Sequence, residues 1–105
     1  MSYMSELDRE MRQFDDMIRK ARLKYGDKEQ MLKAVEEMSE LTVELMNWVL
    51  NDGNPKVHLD LFKRIIDEIA DVQIMMAQMG AIFGDEYVAA RRVEKIERFA
   101  LMLLK

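Results

Sequence analysis

Two pairs of carboxylates stand at one-turn spacing on two separate stretches of the chain: Glu37 with Glu40, and Glu68 with Asp71. Residues three apart on a helix project from one face, so two adjacent antiparallel helices can aim both pairs at one point. The chain has no cysteine and a single histidine, His58. The donor set is therefore all oxygen, which selects Mg²⁺ or Mn²⁺ over zinc. Sites of that kind keep metal waters and take up substrate phosphates. A metal there polarises a phosphoryl oxygen and lowers the pKa of a bound water. The same residues also fit a plainer description. Glu36, Glu37, Glu40 and Glu44 share one arc of a helix, and a charged arc is what an amphipathic helix shows to water. Spacing and composition leave the two readings side by side.

The elements that must position these residues are legible from periodicity. In residues 60–83, Leu61, Phe62, Ile65, Ile66, Ile69, Val72, Met76, Ala77 and Phe83 fall on one broad helical face. Past Asp71 the opposite face turns apolar as well, with Ile74, Met75 and Ile82. A helix apolar all round is buried on every side, and Glu68 and Asp71 mark the boundary. Two carboxylates at the edge of a buried region need a positive partner. A first helix is expected over Glu6–Tyr25, with Ser5 as N-cap and Gly26 as terminator. A second follows from Asp27, its expected N-cap, to about Leu50, with Gln30 at the capping-box position. Its expected core stripe is Met31, Ala34, Val35, Met38, Leu41, Leu45 and Val49. Residues 51–57, NDGNPKV, read as a loop. Gly84 breaks the third helix, and Asp85 can cap a fourth that runs to about Leu104, with an apolar stripe of Val88, Val93, Ile96, Phe99, Ala100 and Leu103. With one proline and four glycines and no strand signal, the fold is all-α, one domain over residues 1–105, and most simply a four-helix antiparallel bundle. Three short partners from one chain do not easily cover the apolar half of the third helix, so a symmetric dimer with a shared core is expected.

Composition excludes several classes. A net charge of −4 argues against a phosphate-tracking nucleic-acid binder. The run from Val72 to Phe83 is too short to span a bilayer, and the opening residues lack a basic-then-apolar signal pattern. Without cysteine there is neither a disulfide framework nor a thiolate site, which fits a cytoplasmic protein. Eleven methionines suit irregular helix–helix gaps and adaptable interfaces.

The run Glu36-Glu37-Met38-Ser39-Glu40, then 27 residues, then Glu68-Ile69-Ala70-Asp71, resembles the EExxE…ExxD signature of the MazG-like all-α nucleoside triphosphate pyrophosphohydrolases. AVEEMSELTVEL and IIDEIADVQIMMAQM are similar to that family's two central helices, and VEKIERF is similar to the final helix of its small, phage-type members. The resemblance covers roughly residues 25–100. It implies four or five helices in a dimer or dimer of dimers. It also implies Mg²⁺-dependent cleavage of a (deoxy)nucleoside triphosphate between the α and β phosphates by a metal-activated water. Carried over, Glu37, Glu40, Glu68 and Asp71 match the metal ligands. Glu36 matches the first motif glutamate, whose role stays open between orienting a water and orienting a neighbouring cation.

Further candidates surround this set. Lys95 and Arg98 are candidates for phosphate oxygens, and equally for cations near a helix C-terminus. Lys56 is a candidate of the same kind in the loop. Trp48 can stack on a base or pack in the core, and Asn47 can meet a base edge. Two rivals stand against the pyrophosphohydrolase expectation. One is a non-catalytic helical oligomerisation or regulatory module on the same scaffold. The other is an enzyme resembling phosphoribosyl-ATP pyrophosphatase, whose His-containing pattern is missing where this chain has Asp71-Val-Gln-Ile-Met-Met. The dimeric dUTPase relatives are longer than this chain.

Overall fold

The computed structural model of the chain describes residues 5–51 and 59–105. Four helices fill them: α1 (Glu6–Tyr25), α2 (Asp27–Leu50), α3 (Leu59–Phe83) and α4 (Asp85–Leu103). The all-α expectation holds, and the helix limits lie within a residue or two of those read from periodicity. Among the described residues no helix is long and apolar enough to cross a membrane.

The ends follow local chemistry, with two corrections. Ser5 caps α1 as expected, its Oγ accepting from Asp8 N at 3.1 Å. Gly26 ends α1 at φ 85°, its N–H bonded to Arg22 O. The N-cap of α2 is Gly26, not Asp27, and no side chain caps it. Asp27 is drawn away by Arg22, whose Nε and Nη2 donate to its two oxygens at 2.6 and 3.1 Å. That ion pair holds the Asp27 carboxyl below the usual carboxylate range. Arg22 Nη1 also donates to Ala81 O at 3.1 Å, so one guanidinium ties the α1–α2 corner to the far end of α3. Gly84, at φ 111°, is likewise the N-cap of α4 in place of Asp85. The Asp85 carboxylate instead lies over Gly80, where a Cβ would come within 2.5 Å of its Oδ1.

The framework is the pair α2·α3. Trp48 meets Phe62, Glu44 meets Arg64, and Glu40 meets Glu68. Rising numbers on one helix meet falling numbers on the other, so the pair is antiparallel. The α2 seam is Gln30, Ala34, Glu37, Leu41, Glu44 and Trp48, all buried or half-buried. The α3 seam is Leu61, Ile65, Glu68, Val72, Met75 and Met79, likewise covered. Both lines step alternately by four and three residues, the spacing of a coiled-coil seam. This corrects the expected core stripe of the second helix. Ala34, Leu41 and, in part, Met31 are inside, but Val35, Met38, Leu45 and Val49 are exposed. The helix turns the edge of its apolar stripe to α3, and the carboxylate arc enters the seam beside it.

α1 lies against α2 and α3 and buries one side chain, Ile18. Phe14 and Ala21 are half-covered, while Leu7, Met11 and Tyr25 face out. Among the described residues α4 touches α3 alone and buries nothing. The apolar half of α3 is therefore not enclosed by its own chain. Ile74, Met76 and Phe83 stand exposed there.

Candidate metal centre

The antiparallel register of α2 and α3 brings Glu37 and Glu40 across from Glu68. Carboxylate oxygens of these three residues all lie within 4.8 Å of one another. Glu37 is 7 % exposed, Glu68 is half-buried and Glu40 faces water. Asp71 lies outside that span, one turn beyond Glu68, and is exposed. Its carboxyl nevertheless borders Glu37 and favours the ionised form there. The cluster thus has a buried floor, Glu37, and an open rim, Glu40 and Asp71.

Its electrostatics split the carboxylates. Lys33 Nζ stands 3.0 Å from Glu37 Oε1. That contact holds the Glu37 carboxyl below the usual carboxylate range in spite of its burial, with Glu68 and Asp71 acting in the same direction. Glu68 moves the opposite way. Desolvation first, then hydrogen bonding to Glu37 and the Glu40 charge, push it up to about 7. With every carboxyl ionised, Glu37 Oε2 and Glu68 Oε2 are buried without a hydrogen-bond partner. Buried unpartnered carboxylate oxygens are costly. A proton carried by Glu68 satisfies the pair, and so does a cation. The donors are hard oxygens, as a divalent cation such as Mg²⁺ or Mn²⁺ requires.

One turn further along, Arg64 Nε donates to Glu44 Oε2 at 2.9 Å. This cross-link sits next to the cluster and bridges the two helices. The sequence reading missed both cations as parts of the site. The signal was there, since Lys33 precedes Glu37 by four residues and Arg64 precedes Glu68 by four.

The other expected site residues are not drawn to the cluster. Glu36 is exposed and lies 3.6 Å from Lys33. Trp48 is half-buried with its ring centroid 6.0 Å from that of Phe62, a ring–ring contact at the partly exposed end of α2·α3. Asn47 is half-buried, and its backbone carbonyl accepts from Asn51. Lys95 and Arg98 are exposed on α4, which makes no contact with α2. Within one chain they are not brought to the carboxylates, because α4 leaves α3 at Gly84 and touches no other described helix. Lys56 and His58 lie outside the described residues, as does residues 52–57 of the expected loop.

No family model, no curated protein and no solved structure matches this chain.

Proposed function

We propose that the chain is a Mg²⁺-dependent nucleoside triphosphate pyrophosphohydrolase, of the MazG-like kind that its EExxE…ExxD motif resembles, with Mn²⁺ as an alternative ion. The observation that carries the reading is Glu37. An ordinary solvated helix face has no reason to place a carboxylate in a helix–helix seam, ionised and with a partnerless oxygen. A site for a divalent cation does. Glu37, Glu40 and Glu68 would hold the ion, with Asp71 as the fourth ligand at the rim. When bound, such an ion supplies a Lewis acid for a phosphoryl oxygen and a water of lowered pKa.

The chain's own residues set the rest. Glu37 and Glu68 form the floor, the Arg64–Glu44 pair bridges α2 and α3 beside it, and the exposed Glu40 and Asp71 leave one side open. A triphosphate brings roughly four negative charges. It approaches this acidic wall only in company with cations, which makes the substrate a metal–nucleotide complex. Hydrolysis of the anhydride between the α and β phosphates releases a monophosphate and pyrophosphate.

The working unit we propose is a homodimer or a dimer of dimers. The chain exposes 8794 Å², about 2,700 Å² more than expected for a compact monomer of its mass. Its radius of gyration is 17.5 Å, against about 13 Å for a compact domain of this length. A second copy of the chain is the occupant that accounts for both.

The test is a panel of canonical and modified nucleoside triphosphates, assayed for pyrophosphate and for orthophosphate with Mg²⁺ and then with EDTA. Metal-dependent pyrophosphate is the expected result. Orthophosphate overturns the bond assignment, and no release from any substrate leaves the non-catalytic module as the better account.

A further inference from the structure

Among the described residues Lys33 is the one cation in direct contact with the buried floor of the cluster. Its ammonium lies 3.0 Å from Glu37 Oε1 and 3.6 Å from Glu36 Oε2, while the lysine side chain is 51 % exposed. Helix energetics do not explain the pair. Within a helix the order Glu then Lys at four-residue spacing is the favourable one, and Lys33–Glu37 runs the other way. What Glu37 needs is a positive neighbour, because its side chain is 9 % exposed and an unpaired buried carboxylate is costly. The lysine itself is under no such constraint, being half-exposed. It leaves the helix at the border of a hollow of about 350 Å³, lined by Tyr25, Glu29 and Gln30, and its flexible stem allows the ammonium to swing outward.

We propose that Lys33 is a stand-in cation: it neutralises Glu37 while the metal is away and transfers to a phosphate oxygen of the substrate when the metal arrives. The inference rests on the metal reading above and adds a residue and a role to it. Two positive charges do not share Glu37 without cost, since like charges a few ångströms apart repel even in water. The arriving ion therefore displaces the ammonium from Glu37. The triphosphate that accompanies the ion offers the same side chain a new anionic partner, and Lys is suited to phosphate as a mobile point charge. Glu36 then has a role as well. It holds the ammonium near the rim, on the water side of Glu37.

Calorimetry of the full-length protein separates the two halves of the swap. Mg²⁺ is titrated into wild type, Lys33→Met and Lys33→Arg without nucleotide, and a non-hydrolysable α,β-methylene triphosphate is then titrated in Mg²⁺. Methionine keeps helix propensity at an exposed position, and circular dichroism checks that the helices persist. Lys33→Met is expected to bind Mg²⁺ about three- to tenfold more tightly, through loss of the competitor. It is expected to bind the analogue at least about tenfold more weakly, through loss of a charged phosphate contact. Lys33→Arg is expected to stay near wild type in both. Mg²⁺ affinity that is unchanged or weaker in Lys33→Met overturns the competition, and unchanged analogue affinity overturns the transfer. A wild-type protein that takes up no Mg²⁺ overturns the metal reading itself, and this inference with it.

Discussion

Replacing Ile96 and Phe99 by Asp on the outer face of α4 tests whether a second chain completes the core. Each side chain is 58 % exposed in the single chain, and α4 as a whole buries nothing. Burying an Ile or Phe completely is worth about 1.5–3 kcal/mol. The part still to be covered is then about 1–1.7 kcal/mol per side chain on the same scale. A symmetric interface uses each residue twice, so the double variant forfeits roughly 4–7 kcal/mol before any cost of burying the new carboxylates. That corresponds to an increase on the order of a thousandfold or more in the dissociation constant. The area agrees: about 2,700 Å² from each partner lies in the class of obligate interfaces. Sedimentation or light scattering of wild type is expected to give a mass at least twice the chain's 12.4 kDa. Its denaturation midpoint should rise with protein concentration, as it does for a folding-coupled oligomer. The variant should move toward 12.4 kDa and lose that concentration dependence. A wild-type protein that sediments as a single chain, with a scattering radius near about 13 Å, would refute the reasoning. It would mean that α4 folds back to cover its own chain.

Glu68→Gln is expected to abolish Mg²⁺ binding and turnover while helicity is kept, because the amide retains the shape and removes the charge; calorimetry and far-ultraviolet circular dichroism check both. The same residue sets a pH trend in the metal-free protein. Its folded pKa of about 7 lies above the ordinary 4.5, so between those values the folded state holds a proton that the unfolded chain has released. Stability from Glu68 is then full below pH 4.5 and declines as pH rises toward 7; urea midpoints across that window should fall in wild type and flatten in Glu68→Gln. Gly26→Ala should cost about 1–2 kcal/mol in thermal or urea unfolding, since Gly26 has φ 85° with open space around it, and the loss is one of backbone conformation alone. A double-mutant cycle on Arg64 and Glu44 should return a coupling below about 1 kcal/mol, because Arg64 is largely solvated; a larger value would show that the pair is shielded from water in the assembled protein.

Helix limits were readable because they depend on neighbours in sequence. Ser5, Gly26 and Gly84 mark ends by their own conformational preferences. The pairing of Glu37 and Glu40 with Glu68 was readable because helical spacing and one antiparallel contact suffice to produce it. The orientation of α2 was harder to see. Its most apolar line runs through Val35, Met38, Leu45 and Val49, and a reading that sends the most apolar line to the nearest core puts Glu37 outside. The line that enters the seam, Gln30–Ala34–Glu37–Leu41–Glu44–Trp48, has the coiled-coil spacing but three polar members. Periodicity weighted by hydropathy discounts it. Asp27 misled for a related reason. Its cap signal is local, whereas Arg22, five residues earlier and also bonded to Ala81 O, competes for it through the fold. The destination of α4 is not written in its own periodicity, because a stripe such as Val88, Val93, Ile96 and Phe99 states that a partner exists without saying whose.

The polar seam also acts as an alignment key between α2 and α3. Apolar knobs are forgiving about which heptad they meet, and two long helices with interchangeable Leu, Ile and Met contacts can settle one repeat out of step. Here a slip of one heptad sets Glu40 against Leu61 or Met75, where no proton-sharing carboxyl faces it, and parts Arg64 from Glu44. Each misaligned pairing takes apart the Glu37–Glu40–Glu68 cluster and the Arg64–Glu44 bridge, which only the native register brings together. The carboxylates that weaken this interface as a hydrophobic contact therefore narrow the choices open to the folding chain, and the geometry of the cluster is set by the same event that docks the two helices.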